Sequence, residues 1–245
     1  MVSIELRVGS ILDLSTVDWP GRPAAVLFLS GCNFRCPFCF NGSLATGKVG
    51  KSMSVDEIVG ILKKMKSMVS SVVITGGEPT VQNILPLCKR LKAEGFAVKL
   101  DTNGSRPELV EQLINERLVD FVALDVKAPL EVAAYSRATG IECEKHIENV
   151  KRTLALLIKS GIEYECRSPI VPSINADEQS LRKHAECVQD ANVFVLEQFW
   201  PESGTLNPAL NKIKGLNRKE MLAAAKFFKN PVVKIRTREA GEEII

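Results

Sequence analysis

The chain has 245 residues, 45% apolar and 25% charged, which suits one large domain with a real core. Its 32 basic and 29 acidic residues leave a net charge of +3, too weak and too scattered to point to nucleic acid or a membrane surface as partner. No apolar run approaches the roughly 18 residues of a membrane span, and residues 1–7 carry Glu5 where a signal peptide is apolar, so the expected location is the cytoplasm. Seven cysteines, an odd number, then read as thiols, core residues or metal ligands rather than disulfides.

In chain order, the first 20 residues predict a strand or hairpin, with Asp18-Trp19-Pro20-Gly21 as a turn. Residues 24–30 predict a short apolar strand. Ser54 and Glu57 have capping-box spacing, and Ile58, Ile61, Leu62 and Met65 follow at helical period. Residues 72–75 predict a buried strand. Residues 81–94 predict a helix with Ile84, Leu85, Cys88 and Leu91 on one side, stopped by Gly95. Strands at 96–102, 119–126, 164–171, 193–198 and 232–237 then alternate with helices at 107–117, 146–160, 177–190 and 217–229. That alternation predicts an α/β fold with a parallel sheet and outer helices. Six such units make an incomplete (β/α)6 TIM-like barrel. A flat doubly wound sheet is the alternative, because periodicity does not report closure. One domain is expected over 1–245: an extension at 1–23, the partial barrel at 24–198, and a loop, helix and strand at 199–245.

Three cysteines, Cys32, Cys36 and Cys39, fall within eight residues directly after the first apolar strand. Loops after parallel strands are where such folds place chemistry, and thiolates are soft ligands for iron–sulfur clusters or zinc. A structural zinc site has four ligands, often as two pairs, and a bacterial ferredoxin run has different spacing and a fourth cysteine. Cys88, Cys143, Cys166 and Cys187 are scattered instead. Three thiolates on a four-iron cluster leave one iron open, as catalytic metals are.

With Phe38 just before the third cysteine, this pattern resembles the radical S-adenosylmethionine superfamily. The resemblance runs along most of the chain. Thr75-Gly76-Gly77-Glu78-Pro79 is similar to the family's glycine–glycine–glutamate motif. Asp101-Thr102-Asn103-Gly104 follows the next strand, Asp125-Val126-Lys127 ends the one after, and Arg167 lies in the fifth. The order is similar to activating enzymes of glycyl-radical enzymes, above all the anaerobic ribonucleoside-triphosphate reductase activating family; Asp18 to Gly21 and Asn41 add to that. Phe40 departs from it, since many such proteins carry His or Tyr there.

The resemblance implies a [4Fe–4S] cluster on Cys32, Cys36 and Cys39 that donates an electron to S-adenosylmethionine, giving methionine and a 5′-deoxyadenosyl radical. It implies hydrogen abstraction from a glycine of a partner, anaerobic ribonucleotide reductase, and an external electron donor such as ferredoxin or flavodoxin. Phe38, Asn41, Gly76, Gly77, Glu78, Asp101, Asn103, Asp125, Lys127 and Arg167 are the implied cofactor-binding residues. Gln198, after the sixth strand, is a candidate adenine contact. Two other readings stay open: a radical enzyme acting on a small molecule, like the compact 7-carboxy-7-deazaguanine synthases, and a non-catalytic iron–sulfur or zinc protein.

Strand alternation makes an independent expectation. Lys99, Asp101 and Asn103 share one face, as do Asp125 with Lys127 and Glu165 with Arg167; the apolar faces opposite them pack on helices. A closed core rejects so many charges, so these faces suit a site. Lys127 or Arg167 is the candidate for the substrate carboxylate. Asp101, Thr102 and Asp125 are a candidate monovalent-cation site, with a structural ion-pair network as the alternative. Gly76 and Gly77 read as a close approach to ligand, or as a plain turn. Cys88 and Cys166 read as core thiols, Cys143 and Cys187 have no assignment, and His146 and His184 read as surface or helix-end residues.

Overall fold

The computed structural model describes residues 4–245, so the start of the 1–23 extension lies outside the described residues. The chain divides into two compact units. The first takes the chain up to Asn33, Ser43–Thr102 and Arg106–Ala123; the second takes Phe34–Gly42, Asn103–Ser105 and Leu124–Ile245.

In the first unit, β1 (Glu5–Ser15) and β2 (Ala24–Leu29) precede a short helix, α1 (Gly42–Ala45). Then come β3 (Lys51–Ser54), α2 (Val55–Lys64), β4 (Ser71–Gly76), α3 (Leu85–Ala93), β5 (Ala97–Thr102) and α4 (Pro107–Asn115). The strand order is β3-β1-β2-β4-β5. β1 runs antiparallel to both β2 and β3, whereas β2, β4 and β5 are parallel. Of the strand or hairpin expected over the first 20 residues the strand forms, as β1, and it pairs antiparallel with β2. The parallel strands are covered on both faces, as apolar runs such as Val72, Val73 and Ile74 require. Trp19 packs with Ala24, Val26 and Val73, and Phe28, Ala97 and Phe121 close around them. The capping box forms as the spacing predicts: Ser54 Oγ accepts from Glu57 N–H, and the Glu57 carboxylate accepts from Ser54 N–H.

β6 (Phe121–Asp125) begins in the first unit and ends in the second. The second unit continues with α5 (Val132–Thr139), α6 (Glu144–Ser160), β7 (Glu163–Ile170), α7 (Glu178–Cys187), β8 (Val193–Gln198), α8 (Arg218–Ala225), β9 (Val232–Thr237) and β10 (Gly241–Ile244). Its order is β7-β8-β9-β10; the first three are parallel and β10 is antiparallel to β9. The fold is α/β with mostly parallel strands, as the alternation predicts, and neither unit closes into a barrel.

The expected helix at 81–94 starts later. Residues Pro79–Val81 form one 3-10 turn, and Gln82 is extended, with its side chain donating to the Arg7 and Ser30 carbonyls. Leu87, not Leu85, then joins Cys88 and Leu91 in the core. α1, β3, α5 and β10 were not expected; each is eight residues or fewer, too short for periodicity to register. No helix among the described residues is long and apolar enough to cross a membrane.

His184 corrects the surface expectation. It is fully buried, edge-on to Phe194 and Phe228. Burial pushes its pKa from 6.5 down to about 4. Folding therefore favours the neutral ring, and protons bind first to the unfolded chain. Its contribution is full above pH 6.5 and is lost as pH falls from 6.5 towards about 4, on the order of 3 kcal/mol in all. We expect His184→Leu to lose less stability than the parent between about pH 7 and pH 4.5, measured by denaturant titration at each pH. Equal losses contradict the assignment.

Candidate active site

Cys32 lies in the first unit. It follows β2 and Gly31, whose φ of +99° only glycine adopts without strain. The turn after β4 holds this corner. Gly77 N–H donates to the Leu29 carbonyl and Glu78 N–H to the Gly31 carbonyl, each at 2.8 Å. A Cβ on Gly76 would lie 2.3 Å from the Leu29 oxygen, and one on Gly77 2.1 Å from the Gly31 oxygen. The close approach that demands glycine here is thus to the cysteine-bearing backbone. Glu78 is buried, and its Oε1 accepts from Thr80 N–H, Thr80 Oγ1 and Thr102 Oγ1 at 3.0, 2.6 and 2.8 Å. It locks the β4 turn to the end of β5. On the same strand Lys99 and Asp101 pair at 3.1 Å, as their shared face predicts, and Lys99 Nζ also donates to the Asp18 carbonyl. The Asp18 turn is therefore tied to the strand carrying Asp101.

Cys36 and Cys39 lie in the second unit. Cys39 N–H donates to the Cys36 carbonyl at 3.0 Å. Phe38 is buried and Phe40 is exposed. The loop is braced from two sides by backbone. Leu206 N–H donates to the Cys39 carbonyl and Asn207 N–H to the Pro37 carbonyl, each at 2.9 Å, while Arg35 N–H donates to Thr139 at the end of α5. Neither brace was legible in the sequence, because backbone bonds leave no side-chain signature.

Near Cys36 and Cys39 stands a partly buried ion trio. Asp125 lies 2.9 Å from Lys127 Nζ and 2.6 Å from Arg167 Nε. Burial opposes the charge of Asp125, yet Arg167 and Lys127 outweigh it and hold the carboxyl well below the usual range. Burial likewise opposes the charge of Lys127, and Asp125 followed by Cys36 outweighs it, holding the ammonium above its ordinary value. Burial pushes the Cys39 thiol up, while Lys127 and a hydrogen bond from Asn41 N–H pull it down. The expected faces of β6 and β7 are thus realised in one contact set.

Asn103 Oδ1 accepts from Ser105 N–H at 3.0 Å, shaping a turn whose Gly104 and Ser105 carbonyls accept from Thr153 and Asn149 of α6. Gln198 is engaged at both ends of its amide: Nε2 donates to the Leu216 carbonyl at 2.8 Å, and Oε1 accepts from Arg238 N–H at 2.9 Å. It ties the long C-terminal loop to β8 and β9. Arg236, which sequence reasoning passed over, pairs with Glu165 and Glu197; the alternation Lys234, Arg236 along β9 was its available signal. Cys88 and Cys166 are core, as expected, with burial pushing the Cys88 thiol up to about 12. Cys187 Sγ accepts from Leu130 N–H and Cys143 sits against Ser136 Oγ, both as packing. Among the described residues no three His, Cys, Asp or Glu converge on a single metal ion. A four-iron cluster asks for something else, thiolates spread over separate irons, and a triplet of soft donors in one loop fits it.

The sequence pattern of the radical SAM superfamily matches residues 26–186. A Methanocaldococcus jannaschii protein classed by inference as a glycyl-radical enzyme activating enzyme is 35% identical over 201 residues, 80% of each chain. The pyruvate formate-lyase-activating enzyme of Clostridium pasteurianum is 28% identical over 75% of this chain and 76% of its own. The 7-carboxy-7-deazaguanine synthase of Koribacter versatilis is 40% identical over 74% of this chain and 84% of its own. The crystal structure of QueE from Escherichia coli shares the fold, with a TM-score of 0.59 at 14% identity over 96% of this chain and 95% of that one.

The clash at Gly77 makes a test. Gly77→Ala should displace the Gly31–Cys32 corner and lower the iron content of the anaerobically reconstituted protein several-fold. Gly60→Ala, where nothing lies within 4 Å, should leave iron unchanged and gain up to about 1 kcal/mol of stability from helix propensity. Equal iron in both variants contradicts the close-approach argument.

Proposed function

The chain belongs to the radical S-adenosylmethionine superfamily, and from that premise we propose that it activates a glycyl-radical enzyme, with anaerobic ribonucleotide reductase as the partner. The observation that carries this reading is the match to a relative classed as an activating enzyme, which spans 80% of both chains. The family implies a [4Fe–4S] cluster and S-adenosylmethionine. We assign the cluster to Cys32, Cys36 and Cys39. When bound, it supplies the electron that splits the sulfonium into methionine and a 5′-deoxyadenosyl radical, which takes hydrogen from the partner's glycine.

The chain's own residues bind and orient. Lys127 is the assigned contact for the methionine carboxylate: an ammonium has three donors, and one goes to Asp125. Arg167 holds Asp125 and so keeps Lys127 in place. Glu78 and Asn103 fix the turns after β4 and β5, and Gly76 and Gly77 let the first turn lie against β2. Phe38 and Asn41 complete the assigned site. The Gln198 amide is already engaged at both ends, which argues against an adenine contact. Lys99 balances Asp101, and Lys127 and Arg167 balance Asp125, which argues against a monovalent cation at Asp101, Thr102 and Asp125. The electron comes from a low-potential ferredoxin or flavodoxin in the cytoplasm.

The identity to a 7-carboxy-7-deazaguanine synthase supports a second reading, a small-molecule substrate. The two separate on one mixture: reduced holoprotein, S-adenosylmethionine and the reductase. A glycyl-radical doublet in electron paramagnetic resonance is expected; its absence alongside turnover of a deazapurine precursor favours the second reading. Alanine at Cys32, Cys36 or Cys39 should abolish cluster binding and release of 5′-deoxyadenosine, whereas Cys88→Ala should keep both. A Cys39→Ala protein that still releases 5′-deoxyadenosine contradicts the ligand assignment. Rates that respond to added potassium would restore the cation; indifference removes it.

A further inference from the structure

The charged strand face that carries Arg167 continues beyond the part of the chain that the family pattern covers. Glu165 stands two residues before Arg167 on β7, so their side chains share a face. On the neighbouring strands Arg236 of β9 pairs in register with Glu197 of β8. The Arg236 guanidinium reaches Glu165 at 2.6 Å, Glu242 at 2.7 Å and Glu197 at 3.2 Å. Burial opposes its charge, and the carboxylates, Glu165 foremost, outweigh that.

Glu165 is 3% exposed. Its Oε2 accepts from Arg236, but its Oε1 is buried with no hydrogen-bond partner among the described residues. Nearly all buried polar atoms are paired, and a carboxylate oxygen left without a donor is costly. Arg236 is already shared among three carboxylates, so the fold does not supply the second donor. Lys234 is taken up by Glu242 at 2.7 Å. A ligand that donates a hydrogen bond would satisfy the Glu165 oxygen. Its neighbours Arg236 and Glu197 are 20% and 31% exposed, so a ligand that reaches the oxygen must displace them.

We propose that Glu165, positioned by Arg236, accepts a backbone amide N–H from the glycine-bearing segment of the partner, so that the β7–β9 face selects a polypeptide substrate. This rests on the activating-enzyme reading above. A polypeptide fits the face because each peptide unit brings a donor for Glu165 and a carbonyl for a neighbouring guanidinium.

Glu165→Gln keeps the shape and exchanges one oxygen for a donor. The probe is the purified anaerobic ribonucleotide reductase, mixed with reduced holoenzyme and S-adenosylmethionine. KM for the reductase should rise about tenfold or more, the scale of one charged hydrogen bond. Iron content, melting temperature and partner-free release of 5′-deoxyadenosine should stay at parent levels. Arg236→Lys should raise the same KM, and the double variant should be no worse than the poorer single one. A KM within about twofold of the parent overturns the proposal. So does an equal fall in partner-free 5′-deoxyadenosine release, which places Glu165 outside partner recognition. Should Glu165→Gln not fold, Arg236→Lys decides by the same criteria. A parent protein that cleaves S-adenosylmethionine but puts no radical on the reductase overturns the activating-enzyme reading itself, and this proposal with it.

Discussion

A partly buried carboxylate held between two cations, Asp125 with Lys127 and Arg167, is the interaction that organises the charged strand face of the second unit. Three charges partly withdrawn from water are costly unless each is paired, and here each is. The geometry does more than balance charge. Arg167 comes from the middle of β7 and Lys127 from just beyond β6, so the trio joins two neighbouring strands. It also fixes an ammonium within electrostatic reach of Cys36 and Cys39. Positive charge beside thiolates favours the form that binds metal. Removing Asp125 alone would leave two partly buried cations without their shared counter-charge, the most damaging way to break such a set.

The cysteines themselves lie in irregular chain, and irregular chain needs outside support. On the Cys32 side the support is steric: Gly76 and Gly77 bring the β4 turn so close to β2 that no Cβ fits. On the Cys36 and Cys39 side it is a set of backbone bonds from the chain around Leu206 and from the end of α5. Gly140 belongs to the same device. Its φ is +69°, and a Cβ there would stand 2.1 Å from the Arg35 oxygen. Rigid loops of this kind hold a cofactor's reactive atom in one place, which is the protein's task when the cofactor carries the chemistry.

Much of this was legible in the sequence, and the parts that were not share a cause. Long amphipathic helices and apolar strands announce themselves by period, so β5 through β9 lie within a few residues of their expected places. The shared faces of Lys99 with Asp101 and of Asp125 with Lys127 followed from alternation alone, and both became ion pairs. The cysteine triplet was visible because soft ligands rarely cluster without purpose. Short elements escaped: α5 and β10 are too brief to show a period. His184 was misread because a histidine is polar by composition, yet a neutral imidazole packs among phenylalanines. Arg236 was missed since its partners, Glu165 and Glu242, are distant in sequence and meet only through strand order. The glycine pair was seen, but its reason, contact with the chain's own backbone, required coordinates.

The proposed chemistry turns on one iron that no side chain would occupy. Mössbauer spectroscopy of iron-57-labelled protein, reconstituted without oxygen and measured before and after S-adenosylmethionine is added, reads that directly. The account predicts a [4Fe–4S] cluster in which one iron site, and only one, changes its isomer shift when S-adenosylmethionine binds. A cluster with four sites indifferent to it, or protein that takes up zinc in place of iron, would contradict the account.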